Sequence, residues 1–166
     1  MKTVKILSLM IALVFSAAVV KAQNNIDLLT NDYYGVKNAL AAGDGNDAQA
    51  QAKVLFAAFS DHPEKGLTPD QQKVLNSYLD KLKFDSRHIS ETTTVDHQRE
   101  HFASLSKNWY EVLKNIQLNS SVVYMQYCPM KKAYWLSESY TIKNPYYHDK
   151  MMSTCGKTTA TLAATK

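Results

Sequence analysis

The chain has 166 residues, with 19 Lys and Arg against 15 Asp and Glu, a formal charge of +4. Lys2, Lys5 and Lys21 fall in the first 22 positions, which hold no acidic residue, so from Gln23 onward 16 basic residues face 15 acidic ones and the net is +1. A chain so near neutrality has no electrostatic footprint for nucleic acid or an anionic membrane. Its length suits one domain rather than two, and 5 Gly with 4 Pro exclude a collagen-like or low-complexity polymer.

Residues 1–5 are short and basic, and residues 6–20 form an apolar run broken only by Ser8 and Ser16. Val20-Lys21-Ala22 places modest or small side chains where a signal peptidase reads. This pattern predicts a signal peptide over residues 1–22, cleaved before Gln23. The run is shorter than the roughly 20 residues a spanning helix needs, so no membrane attachment is expected after cleavage. No Cys follows it to carry a lipid. The mature protein is then exported, soluble and exposed to an oxidising compartment.

From Gln23 to Gln117 the pattern is helical. Ile26, Leu29, Tyr33, Val36 and Leu40 recur at spacings of three and four, one face of an amphipathic helix. Gly43-Asp44-Gly45-Asn46 reads as a turn, and Ala48, Ala52, Leu55 and Phe59 mark a second helix ending before Pro63. Thr68-Pro69-Asp70-Gln71 is a helix start, with Thr68 as cap, Pro69 in the first position and Gln71 completing a capping box. Leu75, Tyr78, Leu79 and Leu82 carry that third helix, which runs to about Ile89. Thr94 or Asp96 caps a fourth, whose stripe of Phe102, Leu105, Trp109, Val112 and Ile116 is the cleanest in the chain. The expected fold is mainly α: an up-and-down four-helix bundle with a small C-terminal β-hairpin and a loop-rich metal-binding segment. Within one domain of residues 23–166, the bundle takes 23–118, the hairpin and Cys/Met segment 119–157, and an unplaced tail 158–166. The hairpin is read from the β-branched and aromatic residues of 122–127 and the apolar 133–136, either side of Cys128-Pro129-Met130-Lys131-Lys132. Alone it would be marginal, so it must pack on the bundle.

The sulfur distribution is the most unusual feature. After residue 22 the chain has two Cys and four Met, and all six lie between Met125 and Cys155; the four helical segments have none. Met used as a general core filler would appear on the helices too. Thiolate and thioether are polarisable donors that select Cu(I) over hard ions. Cys128 and Met130 can present two sulfurs from one loop, and Met151 or Met152 with Cys155 two more if that segment makes a helical turn. Against this stand a Cys128–Cys155 disulfide, natural in an exported protein, and a packing role for Met125. On chemistry alone, metal site and disulfide weigh about equally. Structural zinc wants four Cys or His ligands, so it fits less well.

The string Tyr127-Cys128-Pro129-Met130, Ala133-Tyr134-Trp135-Leu136-Ser137, Ile142-Lys143-Asn144-Pro145-Tyr146-Tyr147, Met151/Met152 and Cys155-Gly156, with Gln98-Arg99-Glu100-His101-Phe102 upstream, resembles a family of small exported domains of unknown function from Gram-negative bacteria. Members of that family also occur fused to periplasmic adaptor subunits of heavy-metal (copper) efflux pumps, and the Cys-Pro-Met motif is similar to the heavy-metal-binding motif of those adaptors. The resemblance runs over about residues 27–157. It implies copper or another soft metal as ligand, a periplasmic location and no catalytic activity. His148 stands where the family pattern has Gly.

His97-Gln98-Arg99-Glu100-His101 also reads as the inverted zinc-protease motif. The chain lacks a protease scaffold, so a surface pair beside the core stripe is the better reading, with His101 hydrogen-bonded under the hairpin. His97 and His101 at i, i+4 remain an incidental zinc or copper(II) pair, with His88 and His148 as auxiliary donors. The Tyr and Trp residues around the sulfurs read as packing between hairpin and helices. The sequence thus predicts a non-enzymatic, periplasmic Cu(I)-binding protein that buffers metal or passes it to a periplasmic efflux adaptor. Its ligands are Cys128, Met130, Cys155 and one of Met151 and Met152. A disulfide-stapled interaction module is the rival, and a zinc hydrolase on His97, Glu100 and His101 comes third.

Overall fold

The computed structural model describes residues 24–61, 63–149 and 151–165. The predicted signal peptide lies outside these. Helix α1 spans Asn25–Ala42, α2 Gly45–Ser60, α3 Pro69–Ser90 and α4 Val95–Ile116; strands β1 Val123–Cys128, β2 Ala133–Ser137 and β3 Lys157–Leu162 follow. Consecutive helices pack on one another, and α1 also meets α4, so the bundle closes. No described helix is long and apolar enough to cross a membrane.

Local chemistry sets the helix ends. The Asn24 side chain accepts from the Asp27 N–H at 2.9 Å and starts α1. Gly43 (φ 74°) ends it in the left-handed region, where an added Cβ would lie 2.8 Å from the His148 ring. Asp44 then caps α2, its Oδ1 accepting from Asn46 and Asp47 at 3.0 and 2.9 Å. The expected Thr68/Gln71 capping box is present in full. Thr94 is the cap residue of α4 but makes no side-chain capping bond.

All fourteen apolar positions expected on α1, α2 and α4 are buried; on α3, Leu75 and Leu82 are buried while Tyr78 and Leu79 are half-buried. The C-terminal unit has three strands where a two-stranded hairpin was expected. The order is β2-β1-β3, all antiparallel, and β3 comes from the unplaced tail. Its Thr158, Ala160 and Leu162 are half-buried while Lys157, Thr159 and Thr161 face solvent. That is a period of two, but Thr and Ala make the contrast too weak to read as a strand.

Tyr33 ties sheet to bundle. Its hydroxyl sits 2.6 Å from Ser106 Oγ on α4 and accepts from the Leu136 N–H of β2 at 3.0 Å. Trp135 of β2 and Tyr146 are both buried, with ring centroids 6.1 Å apart, and Tyr146 stands the same distance from Phe102 of α4. These rings are the packing layer expected between sheet and helices; Tyr134 and Tyr140 are exposed.

Candidate metal centre

Cys128 closes β1 and is fully buried. Residues 129–132 turn back over it, and the Lys131 N–H donates to Cys128 Sγ at 3.5 Å. Lys132 completes the reversal at φ 51°. On the other side of β1, Tyr127 faces Lys157 in antiparallel register, so the chain just before Lys157 runs beside Cys128. Gly156 makes that approach possible. Its φ of 153° suits glycine, and a Cβ there would lie 2.7 Å from Trp135 Cη2 and 3.1 Å from the Tyr127 carbonyl oxygen. The result sets the half-buried Cys155 beside Cys128, close enough for the two thiols to interact electrostatically. Both are free thiols.

Residues 144–155 hold Cys155 in place. Buried Asn144 donates through Nδ2 to the Cys155 carbonyl at 2.7 Å and accepts from the Tyr146 N–H at 2.8 Å, while its own N–H donates to the Ser153 carbonyl at 2.7 Å. Asp149 Oδ1 accepts from the Met151 and Met152 N–H groups at 3.1 and 2.9 Å, and its carbonyl from Ser153 at 2.9 Å. The Cys155 N–H donates to the Met152 carbonyl at 3.0 Å. Met152 and Cys155 therefore share one turn at i, i+3. Met152 is half-buried, whereas Met130 (67 % exposed) and Met151 (87 %) point into solvent, and Met125 packs on the core as a strand residue. Of the five predicted ligands, the described contacts join Cys128 with Cys155.

Sequence reasoning missed the residues that position them. Arg99 is nearly buried and donates through Nε to the Pro145 carbonyl at 2.8 Å and through Nη2 to the Leu40 carbonyl at 3.2 Å; Nη1 meets Asp96 at 3.3 Å. Gln98 donates to the Gly45, Ile89 and Thr92 carbonyls. The signal available for these two was Gln98-Arg99 inside the family-like motif; for Asn144 it was the Asn-Pro turn.

Partial burial pushes the Cys155 thiol up from its ordinary value, helped by its interaction with the neighbouring Cys128. Two thiols in contact resist becoming two thiolates, and a cation bound between them reverses that repulsion. A cleft of about 450 Å³ lies at the far end of β1 from Cys128, beside Asp27, Ser120 and Glu138.

The histidines are placed differently from the sequence expectation. His101 Nδ1 lies 3.1 Å from Asp85 Oδ1 on α3, so its partner is a neighbouring helix and not the hairpin. The α3 helix packs along α4, and its buried carboxylate reaches His101. His148 rests near Arg99 Nη2 at 3.5 Å. His62 lies outside the described residues.

A family model described as a protein of unknown function, DUF3347, matches residues 29–121. The matched stretch takes in nearly all of the four helices and stops short of Cys128. No curated protein and no solved structure matches the chain.

Proposed function

The chain belongs to DUF3347, a family of proteins of unknown function, and from its sulfur geometry we propose that it binds a soft metal ion, Cu(I) first. The reading rests on one observation: two free cysteines from separate segments lie side by side at the end of the sheet's central strand. Two thiolates suit Cu(I), which accepts few ligands and prefers sulfur. The Lys131 N–H aimed at Cys128 Sγ offsets part of the negative charge of a bound thiolate. Met152 is the better-placed third donor because it shares the Cys155 turn. Met130 reaches the site only by folding its exposed side chain back over the turn. In this proposal the protein is exported to the periplasm and buffers the metal or hands it to an efflux adaptor.

The same contact favours a second reading. Two adjacent thiols can lose two protons and two electrons to a thiol oxidant and form a Cys128–Cys155 disulfide, leaving a stapled interaction module. Thiol counting on protein purified from the exported fraction separates the two. Two free thiols that vanish on adding Cu(I) support the metal reading; an oxidised pair with no metal supports the staple.

The direct test is a Cu(I) competition titration against a colorimetric chelator under reducing conditions. Cys128→Ser and Cys155→Ser remove a charged ligand and weaken binding most. Met152→Leu, nearly isosteric, weakens it modestly, Met130→Leu less, and Met151→Leu leaves it unchanged. Wild-type affinity in Cys128→Ser sinks the proposal.

A further inference from the structure

Three histidines meet on the outer face of α3 and α4, away from the sulfur segment. His97 and His101 share one face of α4 at i, i+4, with ring centroids 4.9 Å apart. His88 of α3 stacks on His101 at 4.6 Å, and Phe84 covers His88 at 4.1 Å.

Their hydrogen bonds fix which nitrogens are available. His88 Nδ1 lies 2.8 Å from the Phe84 carbonyl, and a carbonyl only accepts, so Nδ1 carries the proton and the neutral ring's lone pair is on Nε2. His101 Nδ1 faces the Asp85 carboxylate at 3.1 Å, which assigns the same tautomer. His97 Nδ1 lies 3.8 Å from Glu100 Oε2. Asp85 has a side chain only 5 % exposed, and the His101 ring is its polar partner. A buried carboxylate that holds the far nitrogen of an imidazole is the outer-shell arrangement of metal-binding histidines: it orients the ring and raises its basicity.

We propose that His97, His101 and His88 form a second metal site, through their Nε2 atoms, for a borderline divalent cation such as Zn(II). Neutral imidazole nitrogens suit that class, and the sulfur pair suits a softer one. As the side chains stand, no three His, Cys, Asp or Glu donors among the described residues converge on one point; the rings stack instead. Binding therefore unstacks them, with half-exposed His97 turning toward His101. For His97 and His101 the i, i+4 spacing needs no backbone change.

The test uses untagged protein carrying Cys128→Ser and Cys155→Ser, so the sulfur reading can fail without affecting the outcome. Zn(II) is titrated by calorimetry, with imidazole ¹⁵N spectra followed in parallel. The expected result is one Zn(II) per chain, with the Nε2 resonances of His97 and His101 shifted. Affinity falls at least about tenfold in His97→Ala and in His101→Ala, and about tenfold in Asp85→Asn through loss of the orienting carboxylate. His97 is exposed enough that its variant keeps the fold, which circular dichroism checks, while His148→Ala leaves binding unchanged. Absence of Zn(II) binding below millimolar, or an affinity unchanged in His97→Ala, overturns the proposal.

Discussion

Replacing Asn144 by Ala removes the latch on the second thiol and leaves the thiols themselves intact. Asn144 is fully buried and its side chain makes two bonds: to the Cys155 carbonyl at 2.7 Å and from the Tyr146 N–H at 2.8 Å. The backbone bond to Ser153 survives in Ala. The Tyr146 N–H, in a buried residue, loses its acceptor at a cost of about 1–2 kcal/mol, while the half-buried Cys155 carbonyl can recover a water and costs about 1 kcal/mol or less. The expected loss is about 2–3 kcal/mol in urea denaturation with an unchanged m-value. In the proposed site, Cys155 must then be ordered by the metal itself. If that draws about 1.4 kcal/mol from binding, the Cu(I) affinity falls about tenfold. Asn144→Asp sharpens the test. It keeps the acceptor for Tyr146 but sets a carboxylate against the Cys155 carbonyl, so it should weaken Cu(I) at least as much as Ala does. An Ala variant with wild-type Cu(I) affinity and a stability loss under about 0.5 kcal/mol would mean that Asn144 does not hold the loop.

Trp109→Ala should cost about 3 kcal/mol, the low end for a buried ring, because its Nε1–H has no acceptor in the core and is removed with it; a loss under about 1 kcal/mol in denaturant would contradict the core position of α4. Buried Lys37 pairs with half-exposed Glu138 at 2.6 Å. Partial burial raises the Glu138 carboxyl, but the Lys37 bond and charge outweigh that and leave it below its ordinary value, so its stabilisation holds above about pH 4.5 and is lost as pH falls through the lowered value. Glu138→Gln should cost about 1–2 kcal/mol at neutral pH, less than a fully buried pair, and flatten that acid limb in pH-dependent melting. Cu(I) affinity should rise with pH through neutrality, because the Cys155 thiol is pushed up and must release its proton, while a thioether has none to lose; a flat profile would exclude Cys155 as a thiolate ligand. Intact-mass measurement of exported protein should show residues 1–22 missing, and retention of Met1 in a membrane fraction would reverse the export expectation.

The bundle was legible because its information is periodic. Leu29, Tyr33 and Val36, or Leu105, Trp109 and Val112, announce a face by spacing alone, and Thr68 with Gln71 announces a start by chemistry that acts within four residues. Strand β3 was not legible because Thr158 and Ala160 contrast too little with Thr159 and Thr161, and its pairing with β1 is set by a partner over thirty residues earlier. For the sulfur residues, composition singled out one segment but spacing did not say which members meet. Cys128 and Cys155 meet because Gly156 lets the chain pass under Trp135, a close approach that no linear pattern encodes. Met130 and Met151 stand free in solvent although their sequence credentials equal those of Met152.

The polar residues Gln98 and Arg99 explain how a helical bundle can position a loop site at all. Both sit on α4 among the apolar stripe positions, where a periodicity argument expects solvent or error, yet both are buried. Each spends its donors on backbone carbonyls of other segments: Gln98 on Gly45, Ile89 and Thr92 at the helix connections, Arg99 on Leu40 at the end of α1 and on Pro145 in the loop that leads to Cys155. A buried guanidinium is costly unless its hydrogens are satisfied, so Arg99 fixes the Pro145 carbonyl as firmly as Pro145 fixes it. The Asn144 latch is thereby anchored to a rigid helix rather than to another loop. Gln98 and Arg99 lie inside the stretch that defines the family, residues 29–121, while the thiols lie beyond it. The scaffold and the chemistry are therefore separable. Cys128→Ser with Cys155→Ser removes the two proposed ligands and leaves every one of these carbonyl clamps in place, which is why loss of Cu(I) binding in that variant, with folding retained, would report on the site and not on the structure that carries it.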